Sequence, residues 1–108
     1  LALEDVEGAR IASQLKGKDV LFMASHGVTV VGASVAWAFD DLYYLERACM
    51  HQALATQLAA GKPLRRIPDA LAEKVGGQIA GERQQSDMFF QAIQRTLDKE
   101  SPGWSRLD

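Results

Sequence analysis

Two imidazoles and one thiol occur in 108 residues, His26, His51 and Cys49. Metal or nucleophilic chemistry in this chain must therefore start from them or from carboxylates. His26 stands in Ser25-His26-Gly27, between two apolar runs. A glycine tolerates positive φ where a β-carbon would clash, so these residues can reverse the chain sharply and leave the imidazole projecting from the strand ends. A neutral ring nitrogen is a good donor to a divalent cation such as zinc, and the second nitrogen stays free for a supporting partner. On physical grounds alone a single histidine beside a glycine is more often a hydrogen-bonded turn residue, so both readings stand at this point.

The remaining candidates have simpler explanations. His51 lies in a helical stretch with no second histidine or carboxylate paired with it at the four-residue spacing of a helical metal site, and reads as a solvated face. Cys49 shares the helical phase of Leu42 and Leu45 and reads as core packing rather than as a nucleophile. Lys62, Arg65 and Arg66 could attract a phosphate, but short basic loops between helices are usually only solvated. Asp40, Asp41 and Glu46 read as a polar helix face, with Glu46 able to pair with a neighbouring base. Tyr43 and Tyr44 point to different sides of one helix, one of them into core or a subunit contact. No acid or base of a reaction is assigned within the chain.

The elements that must position these residues follow from periodicity. Over residues 3–15, Ile11, Ala12 and Leu15 share one side of a helix that Lys16-Gly17 can stop. The run from Asp19 to Ala24 has strand length and is nearly all apolar, which suits a strand covered on both faces. Val28-Thr29-Val30-Val31-Gly32 is β-branched and reads as a second strand. Ser34 can cap a long helix reaching about Ala60, with Val35, Ala38, Phe39, Leu42, Leu45, Cys49 and Ala53 at helical spacing. After the break at Gly61, Pro63 and Arg65-Arg66, Pro68 and Asp69 open a further helix, weakened by Gly76 and Gly77 and ended by Gly81. A last helix starts near Glu82, with Met88, Phe89, Ala92, Ile93 and Leu97 on its packed face, and stops before Ser101-Pro102-Gly103. The fold class is α/β in the order α-β-β-α-α-α. Two strands cannot shield themselves, so further strands are expected to pair with them.

Composition narrows the function. Apolar residues make up 47% and charged residues 24% of the chain, ordinary proportions for a globular domain. The formal net charge is -2, without a stripe of interleaved basic and aromatic residues, so no nucleic-acid partner is expected. A lone cysteine cannot form an intrachain disulfide and fits a reducing cytoplasm. No apolar run approaches membrane-spanning length, and no leader pattern precedes one, so a protein that is neither exported nor embedded in a membrane is expected. The chain opens at Leu1 in sequence that already reads as helix, which carries the expectation that the domain continues upstream.

The stretch Val20-Leu21-Phe22-Met23-Ala24-Ser25-His26-Gly27-Val28-Thr29-Val30-Val31-Gly32, followed by Ala36, Ala38-Phe39-Asp40 and Leu45-Glu46-Arg47-Ala48, resembles the class II aldolase/adducin domain family. In that family an apolar strand ends in His-Gly, a β-branched strand runs to a glycine, and a long helix carries a Leu-Glu segment. Leu97-Asp98 and Ser101-Pro102-Gly103 resemble its C-terminal end. Residues 40–49 are most similar to the bacterial adducin-like branch, and Ser25 stands where the family commonly has Asn. The resemblance implies that residues 1–108 form the C-terminal part of one three-layer α/β/α class II aldolase-like domain. It also implies a metal-dependent lyase, breaking a carbon–carbon bond of a small hydroxy-ketone or sugar phosphate. Members such as fuculose-phosphate aldolase and ribulose-phosphate epimerase hold a divalent metal, usually zinc, through three histidines, which polarises the carbonyl and stabilises an enediolate. His26 would be the third ligand, after an upstream His-x-His pair and a proton-shuttling glutamate. A homotetramer with sites at subunit boundaries is implied too, and Trp37, Trp104 and Tyr44 are candidate contacts. The alternative within the family is a non-catalytic, adducin-like assembly module that has lost its metal ligands.

Overall fold

The structure, a computed structural model, describes residues 5–106. Its elements are α1 (Asp5–Leu15), β1 (Val20–Met23), β2 (Gly27–Val30), α2 (Val35–Ala59), α3 (Asp69–Ala80) and α4 (Arg83–Glu100). That is the expected order, although Leu3 and Glu4, read as the start of the first helix, lie outside the described residues. α1 stops where Lys16 and Gly17 turn to φ 50° and 74°. Ile11 and Leu15 are half-buried and Ala12 is exposed, so its packed stripe is narrower than the sequence suggested.

β1 and β2 form an antiparallel pair in the register Val20↔Val30, Leu21↔Thr29, Phe22↔Val28 and Met23↔Gly27. One more bond, from Val31 N–H to the Asp19 carbonyl at 2.8 Å, extends the ladder at its open end. The sequence predicts a strand covered on both faces, and the structure corrects this: Phe22 is 64% exposed. Apolar residues on both sides of a strand need a layer on each side; among the described residues α1 packs on β1 and α2 on β2, which leaves Val20, Leu21 and Met23 half-buried but does not cover Phe22. The radius of gyration is 17.7 Å, against about 13 Å for a compact chain of this length.

α2 begins as expected. Ser34 is extended, and its hydroxyl accepts from the Trp37 N–H at 3.2 Å, satisfying one of the orphan donors of the first turn. The helix ends at Ala60, itself left-handed at φ 49°. Pro68 and Asp69 open α3, with the Asp69 carboxylate in the first turn where the helix dipole favours it. Gly81 ends α3 in a right-handed conformation, and every residue of that helix is exposed.

The firmest packing joins α2 to α4. Phe39 meets Phe89 and Phe90 with ring centroids 6.1 and 5.7 Å apart, and Tyr43 meets Phe89 edge-on at 5.4 Å. Beside these rings runs a polar seam. Arg83 grips both Asp41 oxygens at 2.7 and 3.0 Å and lies over the Trp37 ring, whose N–H donates to Asp87 at 3.2 Å. The carboxylate of Asp41 raises the pKa of the Arg83 guanidinium by hydrogen bonding to its charged form. Ser86, 3% exposed, donates to Asp40 at 2.7 Å and is the one buried residue among the described residues.

This seam overturns several expectations. Asp40 and Asp41 do form a polar helix face, but it is half-buried against α4. Glu46 does remain exposed and meets Arg47 at 3.4 Å. The packed stripe of α4 runs through Arg83, Ser86, Asp87, Phe89, Phe90, Ile93 and Leu97, whereas Met88 is 59% exposed and Ala92 is exposed too. The stripe is rotated because polar residues, invisible to a hydrophobic pattern, fill the contact. Cys49 is exposed rather than core, because the face it shares with Leu42 has no covering element there among the described residues. Val35, at 76% exposure, also lies off the packed face.

Replacing Asp40 by Ala removes the acceptor of the buried Ser86 hydroxyl. The variant is expected to lose about 1–2 kcal/mol of unfolding free energy in urea titrations followed by circular dichroism. An unchanged midpoint would show that the seam bond contributes nothing.

Candidate metal-ligand site

The reversal between β1 and β2 uses three residues, Ala24, Ser25 and His26, closed by the His26 N–H donating to the Met23 carbonyl at 3.2 Å. So tight a link forces unusual backbone angles. Ser25 takes φ 56° and Gly27 takes φ 147°. A β-carbon at position 27 would find open space, so what glycine supplies there is the φ value and not room. Ser25 is an L-residue in the left-handed region, where Asn is several-fold enriched over other non-glycine residues.

This turn places the His26 side chain in solvent, at the rim of an open cleft of about 710 Å³ between the hairpin and α1. Ile11, Leu21 and Phe22 give the cleft its apolar wall, and Thr29, Glu7 and Arg10 its polar groups. Glu7 and Arg10 bind each other twice, Nε to Oε2 and Nη2 to Oε1, both at 2.7 Å. Hydrogen bonding from Arg10 holds the Glu7 carboxyl below its ordinary 4.5, and the same contact raises Arg10. The pair brings no net charge to the cleft. Neither residue was singled out from the sequence, although their three-residue spacing on a helix is the available signal.

The other candidates lie elsewhere. Cys49 and His51 are exposed on α2, away from this cleft. Arg65 and Arg66 edge a separate cavity of about 370 Å³, and Arg66 faces Asp69 at 3.7 Å, with both side chains more than four-fifths exposed. Trp104 donates to Asp98 at 2.9 Å, and Tyr44 stacks edge-on against Tyr43 at 5.4 Å. Among the described residues no group of three or more His, Cys, Asp or Glu side chains could hold a metal ion. His26 is thus the one imidazole that the described residues bring to the cleft, where the Glu7 carboxylate is already held by Arg10.

The family model for the class II aldolase and adducin N-terminal domain matches residues 2–53, which contain α1, the hairpin and most of α2. Relatives extend the match through α3 and α4. A Caulobacter vibrioides protein, provisionally named as an aldolase class 2 protein, is 33% identical over 106 residues, 97% of this chain and 41% of its own length. The chain belongs to the class II aldolase and adducin family. A Pseudomonas aeruginosa protein with the same provisional name is 29% identical over 109 residues, covering 96% of this chain and 41% of itself. The decarboxylase NovR of Streptomyces niveus is 38% identical over 82 residues, 73% of this chain and 28% of its own. The chain therefore spans about two-fifths of the length of the first two of these family members. No solved structure matches it.

The family's common Asn at position 25 acquires a physical meaning from the φ of 56°. Ser25→Asn is expected to raise the thermal midpoint modestly and Ser25→Val to lower it, the two separated by about 1–2 kcal/mol, the usual cost of the left-handed region for a residue with a β-carbon. Equal melting curves for both would show that the turn is not conformationally limited.

Proposed function

We propose that the full-length protein is a metal-dependent lyase in which His26 is one ligand of a divalent cation, with zinc the expected metal. The observation that carries this reading is the exposed imidazole at the tip of a tight reversal, on the rim of an open cleft, in a member of the class II aldolase and adducin family. Its side chain has no hydrogen-bond partner among the described residues, so its donor nitrogens are free, and a neutral imidazole suits the cation chemically. It fits as one ligand. The other ligands come from outside the described residues.

A bound divalent cation supplies Lewis-acid polarisation of the carbonyl next to the bond that breaks. This chain's own residues hold and orient. His26 offers one coordination position at the end of the reversal, and Ile11, Leu21 and Phe22 form an apolar wall on one side of the cleft. The mutual neutralisation of Glu7 and Arg10 keeps net charge out of that wall. The substrate class is a small hydroxy-ketone or sugar phosphate. The decarboxylase name of one relative fits the same chemistry, since loss of carbon dioxide beside a carbonyl also leaves charge that a Lewis acid stabilises.

The same reading has residues 1–108 form the C-terminal part of one three-layer α/β/α domain, with further strands on the hairpin edges. It also has the full-length protein assemble as a homotetramer in the cytoplasm. The uncovered Phe22 and the uncovered faces of α2 and α3 support both extra layers and subunit contacts. No described helix is long and apolar enough to cross a membrane.

The test is metal content. Full-length His26→Ala should purify with its zinc lost and its circular dichroism spectrum kept, because the change removes a ligand and no packed volume. Zinc at the wild-type level in that variant would overturn the assignment.

A further inference from the structure

Gly32 lies between β2 and α2, where the chain folds back on itself. A β-carbon at position 32 would lie 2.9 Å from the Ala38 nitrogen, 3.3 Å from its Cα and 3.4 Å from its Cβ. The nearest of these are backbone atoms in the first turn of α2, and the Ala38 N–H is already committed to the Ser34 carbonyl at 3.0 Å. That turn is further pinned by the Ser34 cap on Trp37 and by the Trp37 contact with Asp87 on α4. α2 is therefore the anchored side of the contact. The side left to shift is the hairpin, whose turn is exposed.

We propose that Gly32 is a positioning residue: its missing side chain lets β2 approach the first turn of α2 closely, and that approach sets the angle at which the hairpin presents His26. The inference rests on the reading of His26 as a metal ligand. Between residues 32 and 26 a strand rises about 3.3 Å per residue, so the imidazole sits on a lever of roughly 20 Å. A shift of about half an ångström at the base swings the tip by more than that. Metal ligands need distances within about 0.2 Å, and sites in general need to be held within about 0.5 Å. A methyl group at position 32 is then felt at the far end of the ribbon.

The experiment uses the full-length protein in four forms: wild type, His26→Ala, Gly32→Ala, and an insertion of one glycine between Gly32 and Ala33. The insertion adds no β-carbon at position 32 and loosens the coupling between hairpin and helix. Zinc affinity is measured by competition with a chromophoric chelator, coordination by the absorption spectrum of the cobalt-substituted protein, and folding by thermal melting. Gly32→Ala and the insertion should each bind zinc about tenfold or more weakly, with an altered cobalt spectrum, and the insertion should melt close to wild type. A purely structural role would lower the melting point of Gly32→Ala and leave the cobalt spectrum of both variants unchanged, and that result overturns the proposal. If Gly32→Ala does not fold, the insertion variant alone decides. Failure of the two inferences is distinguishable: zinc affinity insensitive to His26→Ala defeats the ligand assignment. Loss in His26→Ala beside wild-type binding in the insertion variant defeats only the positioning role.

Discussion

Closing an antiparallel pair with three residues is the constraint on which the rest of this structure depends. The ladder from Val20↔Val30 to Met23↔Gly27 leaves Ala24, Ser25 and His26 to bring the chain round. The backbone does so by entering the left-handed region at Ser25. His26 then has no neighbouring strand to lie against and is left exposed at the cleft rim. The same register turns alternate residues of β1 to opposite faces, and a slip by one residue would exchange those faces. The position of the imidazole and the packing of the sheet are thus one decision, made in the turn.

The hydrophobic effect does little inside these elements. Ser86 is the one buried residue described, while Phe22, Leu58 and Ile79 are all more than half exposed. Apolar surface of that extent ordinarily covers something. What does hold α4 on α2 is mixed: an aromatic cluster, a two-point Arg83–Asp41 pair, and the bond of a buried hydroxyl to Asp40. Part-buried pairs with two bonds are better defined in geometry than exposed ones, and here they fix which faces of the two helices meet.

Element order and type were legible because each rests on a local rule. The Ser34 cap, the stop at Lys16-Gly17, the Pro68-Asp69 start and the Ser25-His26-Gly27 reversal were all readable from single residues whose backbone preferences are strong. The phase of α4 was not. Reading Met88 and Ala92 inward assumed that an apolar face packs, whereas the contact is filled by Ser86, Asp87 and Arg83, whose partners Asp40, Trp37 and Asp41 lie more than 40 positions earlier. Cys49 was misplaced for the converse reason, since periodicity says which residues share a side and not whether anything covers that side. At the site, the exposure of His26 followed from the turn, while Glu7 and Arg10 were passed over because their spacing is common on any helix.

α2 links these two levels. Its first half carries Ala36 and Ala38-Phe39-Asp40, residues on which the family resemblance rests, and the match to the family model ends within the helix at residue 53. The groups that hold this half from the other side, Arg83, Ser86 and Asp87, lie beyond the match on α4. The partners of Trp37, Asp40 and Asp41 therefore lie outside the span of the family model, though within the span that the relatives cover. An isolated α2 would leave the Asp40 and Asp41 carboxylates and the Trp37 N–H to water, at no great cost. Packing α4 against it without complementary groups would leave them partly desolvated and unpaired, which costs stability. The helices following residue 53 are in this sense matched to α2 by polar chemistry rather than by volume, and a substitution on either helix is constrained by its partner across the seam.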